Sequence, residues 1–221
     1  MQRYATVLLD LDGTLTDSAP GILASIAHAM DSMGISMPPD DVTRTFLGPP
    51  LVDTFSGHFG LNDADVSLAI DRYRERYHDV GLFENEVYPG IPELLERLVD
   101  DGMTLGVATA KPTYSATRIL EHFDLASRFT FIGGAELDGS RQHKNDVIAH
   151  TLVELEALGA STSAGTVVMV GDREHDVRGA LHHDVPCVGV LWGYGTREEL
   201  TAAGAIALVQ DPAELADQLT R

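Results

Sequence analysis

Four short segments of this sequence carry side chains whose types suit phosphorus chemistry. Asp10 and Asp12 are separated by one residue and followed by Gly13 and Thr14. Thr109 and Ala110 end an apolar run, and Lys144 stands just before a helical pattern. Gly171-Asp172-Arg173-Glu174-His175-Asp176 follows the β-branched run Thr166–Val170. Crowded carboxylates repel one another unless a divalent cation neutralises them. Oxygen-only ligands with room for water and a phosphate suit Mg2+. A carboxylate can attack phosphorus, giving an aspartyl-phosphate that water then clears. A hydroxyl such as Thr109 and an ammonium such as Lys144 would hold phosphoryl oxygens and offset their charge. Taken alone, the Asp-x-Asp-Gly run reads equally well as an Asp/Gly turn.

Distant residues cooperate only if the fold gathers them. Tyr4–Leu9 is apolar and short enough for a buried strand. Further strands are expected at 103–110, 129–133, 166–170 and 185–191, alternating with helices at 113–123, 145–158 and 176–182. That alternation implies an α/β fold, a Rossmann-like parallel sheet with right-handed crossovers. Ligands bind at the carboxyl ends of such strands, and each segment above lies at one of them. Residues 18–86 break the alternation. Ile22, Ile26, Met30 and Met33 recur at helical spacing, as do Val66, Ile70, Tyr73 and Tyr77. The expected organisation is a catalytic core from 1–17 and 87–221, with an inserted all-helical cap at 18–86.

Composition narrows the partners. A formal charge of −19 argues against binding a nucleic acid polymer or an anionic membrane surface. The single Cys187 excludes an intrachain disulfide framework. No apolar stretch has the length of a spanning helix, and the N-terminus lacks a leader pattern. A cytoplasmic monomer or homodimer is expected.

Asp10-Leu11-Asp12-Gly13-Thr14, the strand ending in Thr109, Lys144 opening a helix, and Gly171–Asp176 occur in one characteristic order. In these motifs, and in the helical insert, the chain resembles the haloacid dehalogenase-like hydrolases, specifically their helical-cap phosphatases. Phosphoglycolate phosphatases and similar small-phosphoester phosphatases look closest. The resemblance implies a phosphatase with Mg2+ as cofactor and a small phosphorylated metabolite as substrate. It implies Asp10 as nucleophile and Asp12 as general acid and then base. Mg2+ would be held by Asp10, the Asp12 backbone carbonyl and Asp172. Thr109 and the Ala110 amide would bind the phosphoryl group, and Lys144 would bridge it to Asp10. Asp176 would stand behind them, holding a metal-bound water or Lys144. Two departures weaken the substrate assignment. Ala110 stands where many members carry Asn, and Asn145 where many phosphoglycolate phosphatases carry Pro.

A metal-free dehalogenase is disfavoured by the further acids Asp12, Asp172 and Asp176. A phosphomutase shares every core motif, and a non-catalytic phosphate sensor would be expected to lack an Asp. Phosphoglycolate, a 5′-nucleotide and pyrophosphate all remain open as substrates. Selection among them is expected in the cap, where Arg44 could pair with a second anionic group. Gly48 lies in the adjoining Phe46–Pro50 turn. The loop Trp192-Gly193-Tyr194-Gly195 is expected only to pack.

Overall fold

A computed structural model describes residues 4–136 and 140–220. The chain divides into two compact units, Met1–Thr16 with Val87–Arg221, and Asp17–Glu86. Chain order begins with β1 (Thr6–Leu9) and β2 (Thr16–Asp17). The second unit follows with α1 (Ala19–Ser32), α2 (Asp40–Thr43), α3 (Leu51–Asp53) and α4 (Asp63–Arg76). Then come β3 (Glu86–Val87), α5 (Ile91–Asp100), β4 (Thr104–Pro112), α6 (Thr113–His122), β5 (Phe131–Ala135) and α7 (Lys144–Ala157). The chain closes with β6 (Val167–Gly171), α8 (Glu174–Leu181), β7 (Cys187–Val190), α9 (Arg197–Ala203), β8 (Ala207–Val209) and α10 (Pro212–Thr220).

In the first unit, six strands form one sheet in the order β5-β4-β1-β6-β7-β8, and every pairing is parallel. β1 and β6 are buried along their whole length, as strands covered on both faces must be. α7 and α8 supply Val147, Ile148, Leu155, Val177 and Ala180 to a core shared with Leu8, Met169 and Cys187. α5 buries Ile91, Leu94, Leu95 and Leu98, one stripe at helical spacing, and packs with α10.

β8 and the end of β4 are among the differences from the sequence reading. β8 was not expected, because three residues at a sheet edge are too short to show a period. β4 runs past Ala110 to Pro112, since Pro112 still pairs with Ala135 of β5. Lys and Pro carry no strand signal of their own, so only the neighbouring strand reveals this extension.

The second unit is built mainly from helices. Asn62 caps α4 by accepting from the N–H groups of Ala64 and Asp65. π turns occupy Thr54–His58 and Tyr77–Gly81. Its interior includes Ile26, Met30, Phe46, Phe55 and a stacked Tyr73–Tyr77 pair, so these stripes are core. Arg76 pairs with both Glu84 oxygens at 2.7 and 2.8 Å. Among the described residues, no helix is long and apolar enough to cross a membrane.

Candidate active site

β1 delivers Asp10 to the point where the strand order reverses. Leu9 pairs with Val107 of β4 on one side and Val170 of β6 on the other. The Asp10 N–H donates to the Val170 carbonyl at 3.0 Å. Asp10 therefore stands between the ends of both neighbouring strands, where doubly wound sheets bind ligands.

Lys144 opens α7, and its Nζ meets three acceptors. Asp10 Oδ1 lies at 2.8 Å, Asp176 Oδ1 at 2.7 Å and the Ala108 carbonyl at 3.0 Å. An ammonium has three N–H bonds, so this one is fixed in place. Burial alone would lower the Lys144 pKa, but the carboxylates of Asp10 and Asp176 outweigh it and raise it. Asp176 is held from its other side, Oδ2 accepting from the Arg173 N–H at 3.1 Å.

Asp172 is fully buried at the end of β6. Its Oδ1 accepts from the Thr14 hydroxyl at 3.1 Å and its Oδ2 from the Tyr194 N–H at 2.8 Å. Burial pushes its carboxyl well above the usual aspartate range, and the charges of Asp176 and Asp10 push the same way. The hydrogen bonds from Tyr194 and Thr14 offset only part of that. Asp10 is raised too, mainly by burial, with Lys144 pulling against it and Asp176 adding to it.

Asp12 follows a different course. Its Oδ2 pairs with Lys111 Nζ at 2.9 Å, while its Oδ1 is buried without a hydrogen-bond partner. Lys111 and Thr109 are both buried, and Ala110 between them is exposed. The alternation is that of a strand, which places i and i+2 on one face. The register of β4 against β5 shifts between Ala108 and Pro112, the kind of irregularity that re-aims side chains beside active sites. Thr109 helps to hold down the Asp10 pKa, and its Oγ1 accepts from the Lys111 N–H at 3.3 Å.

Asp10, Asp172 and Asp176 each offer a carboxylate oxygen, all within 4.8 Å of one another. Two of the three have raised pKa values, mainly because they are buried, with neighbouring carboxylates adding to it. An all-oxygen set short of compensating cation fits a hard divalent ion such as Mg2+. Lys144 is paired with both Asp10 and Asp176, so one ammonium faces three carboxylates.

The first unit thus gathers Asp10, Asp12, Thr109, Lys144, Asp172 and Asp176. Arg44 and Gly48 belong to the helical unit, where both are exposed and Gly48 has φ +103°. Lys111 joins the site through Asp12, although the sequence alone ranks it below Lys144. The loop after β7 joins it too. Trp192 Nε1–H donates to the Thr14 carbonyl at 3.0 Å, so Trp192 and Tyr194 do more than fill space. Arg173 turns instead to Glu199 at 2.8 Å.

The family profile described as haloacid dehalogenase-like hydrolase matches residues 7–190, from β1 to the end of β7. The chain belongs to the haloacid dehalogenase-like hydrolases. This haloacid dehalogenase-like hydrolase is 45% identical over 200 residues to a 5′-nucleotidase of Pseudomonas aeruginosa, covering 90% of this chain and 88% of that one. It is 44% identical over 189 residues to the tyrosine-protein kinase PtkA of Mycobacterium tuberculosis, covering 86% of this chain but only 62% of that longer protein. A phosphoglycolate phosphatase of Rhodospirillum rubrum is 32% identical over 222 residues, covering 96% of this chain and 90% of the relative. Among solved structures, a predicted phosphatase from Clostridium acetobutylicum is 42% identical, with a TM-score of 0.89 and 97% of each chain covered. The expected family and α/β fold agree with these relatives, and the phosphatase class agrees with the family profile, the phosphoglycolate phosphatase and the Clostridium phosphatase.

Proposed function

We propose that the protein is a Mg2+-dependent phosphatase that hydrolyses small phosphate monoesters through an aspartyl-phosphate on Asp10. The observation that carries this reading is the Asp10–Lys144–Asp176 arrangement beside a buried Asp172 and a separately oriented Asp12. The Asp10 carboxylate attacks phosphorus as the bond to the leaving oxygen breaks, and Asp12 gives that oxygen its proton. Water then attacks the aspartyl-phosphate, Asp12 takes the water's proton, and the bond from phosphorus to Asp10 breaks. Lys144 holds Asp10 in line and neutralises charge on the phosphoryl oxygens. Thr109 and the Ala110 amide bind those oxygens from the end of β4. Mg2+, held by Asp10, the Asp12 carbonyl and Asp172, would supply the charge that lets a phosphate dianion enter this acidic site.

Two substrate readings have specific support. A nucleoside 5′-monophosphate is favoured by 45% identity to the 5′-nucleotidase over 90% of the chain. Phosphoglycolate has the weaker likeness, 32%, and Asn145 departs from the pattern of that group. Selection is assigned to the helical unit, with Arg44 and the Gly48 turn as its candidate residues. A panel of 5′-nucleotides, 2-phosphoglycolate, pyrophosphate and p-nitrophenyl phosphate, each with Mg2+ or with excess chelator, tests both levels. Hydrolysis that needs Mg2+ and ranks a nucleotide first is the expected result. Full activity in chelator after metal removal would contradict the mechanism, and a phosphoglycolate preference would overturn the substrate reading alone.

A further inference from the structure

The chain's one tryptophan lies in a loop that the proposed chemistry does not use. β7 ends at Val190, beside β6, with Gly189 in register with Gly171. The loop that follows touches both acidic segments. Trp192 Nε1–H donates to the Thr14 carbonyl at 3.0 Å, and the Tyr194 N–H donates to Asp172 Oδ2 at 2.8 Å. The Thr14 hydroxyl donates to Asp172 Oδ1 at 3.1 Å, so Trp192, Thr14, Asp172 and Tyr194 form a closed ring. Two glycines make this approach possible. A Cβ on Gly193 would lie 2.2 Å from the Gly13 carbonyl oxygen and 2.4 Å from Asp172 Cβ, and one on Gly195 would lie 1.9 Å from the Asp172 carbonyl oxygen. Any side chain here would push the loop off both acidic segments. Farther along, Glu199 Oε1 accepts from Arg173 Nε at 2.8 Å and from the Glu174 N–H at 2.9 Å.

A loop that only filled space would not place the Tyr194 N–H on the carboxylate that the sheet brings to Asp10, nor the Trp192 N–H on the residue that donates to that carboxylate. We propose that Leu191–Thr196 is a positioning element for Asp172, with Trp192 tying it to the turn after Asp10 and Asp12. It fixes the plane of the Asp172 carboxylate and its spacing from Asp10, and so sets the affinity of the site for a divalent cation. This rests on the reading of Asp172 as a cation ligand.

Trp192→Phe keeps the ring and deletes the N–H donor. Calorimetric titration of Mg2+ into the substrate-free protein reads cation affinity without turnover, and thermal melting reads the fold. The wild type should bind Mg2+, and the Phe variant should bind it roughly tenfold more weakly, the lower end of what partners behind a metal ligand typically contribute. Thr14→Val opens the same ring at its next link and should weaken Mg2+ in the same direction, which keeps the test valid if Trp192→Phe does not fold. A lower melting temperature with unchanged Mg2+ affinity in the folded variants would overturn the inference and leave the phosphatase reading intact. A wild type that binds no Mg2+ would overturn both.

Discussion

Lys111 Nζ lies 2.9 Å from Asp12 Oδ2, an ion pair between the ends of adjacent strands β4 and β1 whose lysine side chain is only 6% exposed. It gives the carboxylate of the proposed general acid a fixed direction without involving Asp10. Lys144 does the corresponding work for Asp10 at 2.8 Å. The two lysines therefore stand behind different steps, and their variants should separate.

Lys144→Met should lower turnover on every phosphate monoester by about 10²–10³, the range for losing one preorganised donor to developing charge. Lys111→Met should cost less, and unevenly. Alkyl phosphates, whose alkoxide needs a proton, should suffer more than p-nitrophenyl phosphate, whose nitrophenolate does not. Equal losses on both substrates would show that Lys111 does not act through Asp12. Near wild-type turnover in Lys144→Met, with none in Lys111→Met, would reverse the assignments.

Asp172 should cost stability in the metal-free protein. Its pKa is raised well above the usual aspartate range by burial, then by Asp176 and Asp10. A carboxyl whose pKa is higher folded than unfolded holds its proton more tightly in the folded chain. Its contribution to stability is therefore lost as pH rises from the ordinary aspartate range through the raised value. Asp172→Asn removes that loss, and an amide can still accept from Tyr194 N–H while donating to the Thr14 hydroxyl oxygen. The metal-free variant should melt above the wild type near pH 8, by a few degrees if the gain is about 1 kcal/mol. The gap should shrink toward pH 4. Mg2+ should raise the wild-type melting temperature and leave the variant unmoved. A variant less stable than wild type near pH 8, both metal-free, would contradict this electrostatic account.

Much of the site was legible because its chemistry is written locally. Asp10 and Asp12 adjoin in sequence, Asp172 and Asp176 are four apart, and Lys144 opens a helix. What was not legible depends on sheet order. Lys111 meets Asp12 only because β4 lies beside β1, and Trp192 meets Thr14 only because β7 adjoins β6, which adjoins β1. No local period encodes either neighbour. β8 was missed for a related reason, since Ala207–Val209 pairs with Val188–Val190 but is too short to declare itself.

Arg44 is exposed at the start of a 3₁₀ turn that runs to Phe46. If it selects substrate, Arg44→Ala should raise KM for substrates bearing a second anion, such as phosphoglycolate, and leave p-nitrophenyl phosphate nearly unchanged. Steady-state kinetics on that pair decides the matter. A uniform rise across substrates would assign Arg44 to the stability of the helical unit instead.

In the proposed mechanism, phosphate passes through Asp10 and Asp12 moves the proton. Asp12→Asn keeps the backbone carbonyl, so Mg2+ binding should survive, and Asp10 remains free to attack. With p-nitrophenyl phosphate the first step needs no acid, but water attack on the aspartyl-phosphate still lacks its base. Loss of general acid–base help typically slows a step by ~10²–10⁴. Rapid mixing of Asp12→Asn with this substrate, followed by peptide mapping, should show a nitrophenol burst near one equivalent, slow turnover and phosphate on Asp10. Wild-type turnover without a burst, or phosphate recovered on any other residue, would contradict it.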